Sequence, residues 1–166
     1  LGVSERIHCA KRKPWYQLAD YAIPDIFFPY MSSGDHHMVR NDAKASCTNA
    51  IHRVYVHSGA DASSVVASSF TSLFAFECEL FGRHYGGGVL KLEPTASKSL
   101  SVISAGCARA MDRLAKVASS IGYAGRREIA DEQVLIRHLK FPLSTLTALR
   151  RGISILAKER RRRQCS

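Results

Sequence analysis

The run Arg83-His84-Tyr85-Gly86-Gly87-Gly88, with Lys91 just beyond it, gathers the residue types that suit contact with a polyanion. Three glycines remove every side chain from a stretch of backbone, so it can approach a ligand closely and adopt positive φ. Successive amides in such a loop can form an anion-binding nest. Arg83, His84, Tyr85 and Lys91 add charge, hydrogen bonds and a stacking face. The same composition suits a tight corner between a helix and a strand, and spacing alone leaves both readings open. A nucleotide triphosphate loop is disfavoured, because the Gly-Lys-Ser/Thr ending is absent.

Gly34-Asp35-His36-His37 raises a second possibility, since Asp and His together can hold a divalent ion. A metal-dependent hydrolase would need further acidic and histidine clusters, which the sequence lacks. The run is therefore read as a polar turn facing DNA, with Arg40, Thr48 and Asn49 as second-rank candidates. Arg160 to Arg163 could grip phosphates, but a basic helix end is also what the helix dipole favours. Gly-x-Ser-x-Gly is missing, the cysteines and histidines are not framed as a nucleophile and its base, and no cofactor loop is visible.

The elements that must carry these groups follow from composition and period. The 166 residues can bury about 70% of their extended surface. Lys and Arg number 24 against 14 Asp and Glu, a net +10 that attracts polyanions. Five scattered cysteines without Cys-x-x-Cys read as reduced thiols. No stretch approaches the roughly 18 apolar residues of a membrane span. Leu1 to Lys13 lacks the pattern of a secretory signal. The expectation is a cytoplasmic protein with no membrane partner.

Short β-branched and aromatic runs predict strands at Trp15-Tyr16-Gln17-Leu18, Ile26-Phe27-Phe28 and Ile51 to Val56, with a turn at Ser32-Ser33-Gly34-Asp35. From Asp61 the period becomes helical: Val66, Phe70, Leu73, Phe74 and Phe81 share a core-facing stripe broken by Glu77. One long helix is predicted, capped by Asp61 and stopped by a left-handed Gly82. The glycine loop should then feed a short strand, Val89 to Leu92, ended by Pro94. Three amphipathic helices follow, marked by Met111, Leu114, Val117 and Ile121; by Ile129, Val134, Leu135 and Leu139; and by Leu146, Leu149, Ile153 and Leu156. Ser144 is the expected cap of the last one. The fold class is α+β: a mixed α/β domain over residues 1–104 with short strands and one long helix, then a helical segment over 105–166.

The run from Glu79 to Pro94, Glu-Leu-Phe-Gly-Arg-His-Tyr-Gly-Gly-Gly-Val-Leu-Lys-Leu-Glu-Pro, resembles a segment in the C-terminal part of restriction-modification N6-adenine DNA methyltransferases. In that family the glycine-rich run belongs to the target-recognition portion; Lys13-Pro14-Trp15-Tyr16 is similar to the opening of that portion, and Ser46 to His52 to its central strand. Ala130 to Leu135, Leu143, Ser144, Leu149 and the terminal arginines resemble its helical end. Two departures stand out. Ser69-Phe70-Thr71-Ser72 replaces a Leu-Asn-Ser-like sequence, and Leu100-Ser101-Val102-Ile103 is not closed by the family's proline.

The resemblance implies a site-specific DNA-recognition module that lacks the methyl-transfer machinery. The Asn-Pro-Pro-Tyr or Asp-Pro-Pro-Tyr box and the S-adenosylmethionine loop belong to a catalytic domain in the same or another chain. This chain itself is expected to bind no cofactor. Its partners would be double-stranded DNA, from which the target adenine is flipped, and that catalytic domain; the later helices would brace the recognition domain or dock on the catalytic one. The competing reading is a helical protein-interaction or scaffold module, motivated by the Leu146, Leu149, Ile153, Leu156 stripe.

Overall fold

Ile26 and Phe28, two residues apart, fall on one side of the strand β1, Ile26–Pro29, and are 0% and 1% exposed. This period of two is what a half-covered strand requires. The computed structural model describes residues 2–16, 21–117 and 120–162. In it β1 is the centre of an antiparallel sheet, flanked by β3, Val39–Arg40, and β4, Ile51–Val54. Ile26 pairs with Arg40 and Val54, and Pro29 with Ile51. A second antiparallel sheet joins β2, Met31–Ser32, to β6, Leu90–Lys91, and then β5, Arg83–His84. Tyr30 connects the two sheets: its N–H donates to the Ala50 carbonyl at 3.1 Å, and its own carbonyl accepts from Leu92 at 3.0 Å.

The architecture is mixed α+β, as the sequence predicts. Ahead of the sheets lie a 3-10 turn, Val3–Glu5, and the short helix α1, Ile7–Ala10. Trp15 and Tyr16 form a turn rather than the start of a strand. Gln17 and Leu18, the side chain of Val117, Arg163 and Cys165 lie outside the described residues.

The single helix expected from Asp61 to Gly82 is two helices. α2 is Ala62–Ser68 and α3 is Ser72–Phe81, meeting at 71°. The cap is as expected: the Asp61 carboxylate accepts from the Ser63 and Ser64 amides at 3.1 and 2.9 Å. The break lies in the Ser69-Phe70-Thr71-Ser72 stretch, where hydroxyls compete for backbone groups. Ser68, Ser69 and Thr71 each donate back to a carbonyl three residues earlier at 2.7 Å. Thr71 then caps α3 by accepting from the Phe74 amide. Val66 and Phe74 are buried as predicted, whereas Phe81 is exposed. Gly82 is extended rather than left-handed, with φ −72 and ψ 147. A Cβ there would meet the Cys78 carbonyl at 2.5 Å and Leu90 Cδ1 at 2.6 Å, so glycine is required by close approach.

Pro94 occupies the first turn of α4, Pro94–Lys98, instead of merely ending a strand. α5, Ala108–Val117, is followed by α6, Tyr123–Ala130, which continues directly as a π-helical segment, Asp131–His138. The last helix, α7, spans Leu143–Arg162, and Ser144 is its second residue rather than its cap. Ile26, Phe28, Met38, Val66, Phe74 and Leu90 anchor one apolar cluster between the sheets and the helices. Leu114, Ala130, Val134, Leu135 and Leu146 anchor another among the helices, and Phe70 and Met111 touch both. Leu139, expected inside, is 38% exposed.

Candidate functional site

The glycine run forms the tip of a β-hairpin. Arg83 pairs with Lys91 and His84 with Leu90, and the Tyr85 amide closes the hairpin on the Val89 carbonyl at 2.8 Å. Gly87 and Gly88 hold φ 73° and 72°, which only glycine adopts without strain. Gly86 and Gly87 are exposed, with no atom within 4 Å of where a Cβ would stand, while Gly88 is buried. Arg83 is exposed, with its guanidinium 5.9 Å from the centre of the Tyr85 ring. Tyr85 itself is 41% exposed.

Lys91 is engaged rather than free. Its ammonium lies 2.6 Å from Glu93 Oε1, over the Tyr30 ring at 4.9 Å and the Tyr85 ring at 5.3 Å. The Tyr30 hydroxyl donates to Glu93 Oε2 at 2.7 Å. The Glu93 carboxylate, then Tyr30, pushes Lys91 above the usual lysine range; Lys91, then Tyr30, holds Glu93 below the usual carboxylate range. Both charges therefore persist at neutral pH, and Lys91 fixes two tyrosine faces by cation–π contact. Lys91 and Glu93 are two apart along extended chain, so their side chains fall on one face.

Thr48 and Asn49 are exposed in the turn before β4, next to Ala50, which binds Tyr30. The fold thus brings this turn to the Tyr30 end of the cluster. His52 stands beside it, its ring 5.0 Å from Tyr30 and its Nε2 2.7 Å from the Leu92 carbonyl. Tyr30, Glu93 and His52 are not among the candidates picked from the sequence, although Glu93 and His52 lie within the quoted motifs.

The hairpin is supported from behind. Arg160, near the end of α7, is 7% exposed and binds Glu79, at 9%, through Nε at 3.1 Å and Nη2 at 2.8 Å. Its Nη1 donates to the Gly88 carbonyl. Removing one partner from such a buried pair costs about 3–5 kcal/mol. Of the terminal arginines that could grip phosphates, Arg160 is therefore turned inward, whereas Arg161 and Arg162 are exposed.

His36 is another correction: at 4% exposed it is no surface residue, and it shares a small niche with Ala75, Cys78, Glu79 and Leu90 beneath β6. Neither ring nitrogen has a hydrogen-bond partner among the described residues. Burial, then the Arg160 guanidinium and His37, lowers its pKa to about 4. His37 is half-buried between Phe70 and Tyr123, each 5.0 Å away, and burial lowers its pKa as well. Asp35 is tied to α6 by Arg127 at 2.7 Å. Arg40 is exposed on the other sheet and occupied by Asp42 at 2.6 Å and Ser63 at 2.8 Å. The polar turn and Arg40 are thus not part of the hairpin cluster.

Among the described residues no group of three or more His, Cys, Asp or Glu side chains could hold a metal ion. Burial raises the Cys78 and Cys107 thiols, which keeps them from acting as thiolates.

With the glycine hairpin and its supports in place, comparison with known families shows where the chain belongs. The family model for the Type II methyltransferase M.Eco57I, C-terminal domain, matches residues 1–135. The chain belongs to this family. No curated protein and no solved structure matches it. The span matched by the M.Eco57I C-terminal family ends within the π-helical segment, so the whole of α7 lies beyond it.

Proposed function

We propose that this M.Eco57I-type C-terminal domain is the sequence-reading part of a site-specific adenine-N6 DNA methyltransferase. In this reading the glycine hairpin faces duplex DNA, and methyl transfer from S-adenosylmethionine belongs to a catalytic domain. The observation that carries it is the pair Gly86 and Gly87: bare, exposed main chain at a hairpin tip, flanked by exposed Arg83 and Tyr85. Main chain without side chains approaches a phosphate or a base edge more closely than any other surface. The Tyr30, Lys91, Glu93, Tyr85 cluster keeps the tip's aromatic face in one orientation, and Thr48 and Asn49 extend the polar surface beyond Tyr30.

The scaffold reading gains little from the α7 stripe, because Leu146, Leu149 and Ile153 of that stripe are used within the chain. Leu146 and Leu149 join the helical cluster, Ile153 lines the niche with Ala75 and Cys78, and Gly152 lets the Phe76 ring close against α7.

Selection from a randomised duplex library by the full chain tests the proposal. One sequence should be enriched, and Arg83→Ala should weaken binding to it by about 1–3 kcal/mol while relaxing a single base position, if Arg83 reads a guanine. If nothing is enriched, the reading role is lost. A uniform loss on every duplex, with a shallower salt dependence, would make Arg83 a phosphate contact instead.

A further inference from the structure

We propose that Arg160 is a positioning residue for the glycine hairpin, which makes α7 a working part of the reading surface although it lies outside the matched family span; this rests on the hairpin being that surface. Three glycines in a row have more accessible backbone states than any other tripeptide, and a surface that reads through its main chain must be held in one of them. The hairpin's own ladder constrains the loop at its base, through Tyr85 and Val89. Across the tip, the Gly88 carbonyl is bound from outside the hairpin by Arg160.

The guanidinium suits this task because its donors are fixed in one plane. Nε and Nη2 lock onto Glu79, and Nη1 then points in a set direction at Gly88. Glu79 sits on α3, three residues before Gly82 leads the chain into the hairpin. One side chain therefore ties the approach to the hairpin, its far glycine and the last helix together. Burial strengthens these bonds by excluding water. His36 and Leu90 share the niche with Glu79 and close the space beneath the strand.

The test uses the full chain with the duplex enriched from the randomised library. In Glu79→Leu/Arg160→Met the buried pair becomes apolar, a replacement proteins commonly tolerate, and Gly88 loses its donor. The chain should still fold cooperatively, with a melting temperature lowered only by the donor that the buried Gly88 carbonyl loses. Amide exchange at Gly87, Gly88 and Val89 should rise about tenfold, with that of β1 and β4 unchanged. The ratio of specific to non-specific affinity should fall about tenfold at an unaltered salt slope.

Arg160→Lys keeps the charge beside Glu79 without the planar fork, and should move both readouts the same way by less; it carries the test if the double variant does not fold. An unchanged specificity ratio in a folded variant overturns the proposal, as does unchanged exchange at the tip. A salt slope reduced by about one would make Arg160 a phosphate contact and overturn it too. If the wild-type chain enriches no sequence, the reading role fails on its own, and the clamp is judged by amide exchange.

Discussion

The Asp131 carboxylate caps Ser72 from 59 residues away, taking its backbone N–H at 2.6 Å and its hydroxyl at 2.7 Å. The same group accepts from the Arg150 guanidinium at 2.8 Å and is 1% exposed. It joins the start of α3, the α6 to π-helix junction and α7, and it places negative charge at the N-terminus of α3. Asp131→Ala should therefore cost about 3–5 kcal/mol in urea melts, because the buried Ser72 amide and hydroxyl both lose their acceptor and Arg150 loses its partner. Arg150→Ala leaves the buried Asp131 carboxylate without its countercharge, held by the Ser72 amide and hydroxyl, and should cost less, about 1–3 kcal/mol. Equal losses from the two variants would show that the Ser72 cap contributes little.

The two exposed glycines should respond differently to substitution. Gly86 is not left-handed and has open space around it, so Gly86→Trp should change stability by about 0.5 kcal/mol or less. It should nevertheless abolish specific DNA binding by blocking the tip. Gly87, at φ 73°, should lose about 1–2 kcal/mol as alanine and less as asparagine. Denaturation and binding measured on the same preparations separate the effects, and a Gly86→Trp chain that still selects its sequence would move the interface away from the hairpin.

His36 makes stability depend on pH. Its pKa is about 4 when folded and 6.5 when unfolded, so between these values the unfolded chain holds the extra proton. The contribution is complete above pH 6.5 and is lost as the pH falls towards 4, about 3 kcal/mol in all. His36→Leu should flatten the stability profile across that window. A parallel profile in the variant would assign the acid sensitivity to other groups.

Gly152 lies mid-helix, where alanine ordinarily stabilises by about 1 kcal/mol. Here a Cβ would meet the Phe76 ring at 2.5 Å. Gly152→Ala should instead destabilise by about 1–3 kcal/mol by wedging α7 from α3. Thermal melts decide the sign, and a more stable variant would mean that the two helices are not held at this separation.

Where a local pattern is strong, the sequence is readable. The alternation of Ile26 and Phe28, the Asp61 cap and the glycine tip all depend on neighbours in the chain, so their physics is visible in a short window. The break between α2 and α3 is hidden because the apolar stripe keeps its period through it, while the competing hydroxyl bonds of Ser68, Ser69 and Thr71 leave no mark on that period. The strand Arg83–His84 is two residues long and exists by pairing with β6. Arg160 is indistinguishable from Arg161 and Arg162 until Glu79 is brought to it from 81 residues away. His36 reads as a polar turn residue because nothing local announces that β6 covers it.

The main chain of Tyr30 is shared by both sheets, held by Ala50 on one side and Leu92 on the other. A displacement at the hairpin is thereby transmitted to the loop carrying Thr48 and Asn49, so the proposed reading requires the two to engage or release a duplex in concert. Protons on the Tyr30 and Leu92 amides should exchange at a common rate, marking a seam that opens all at once.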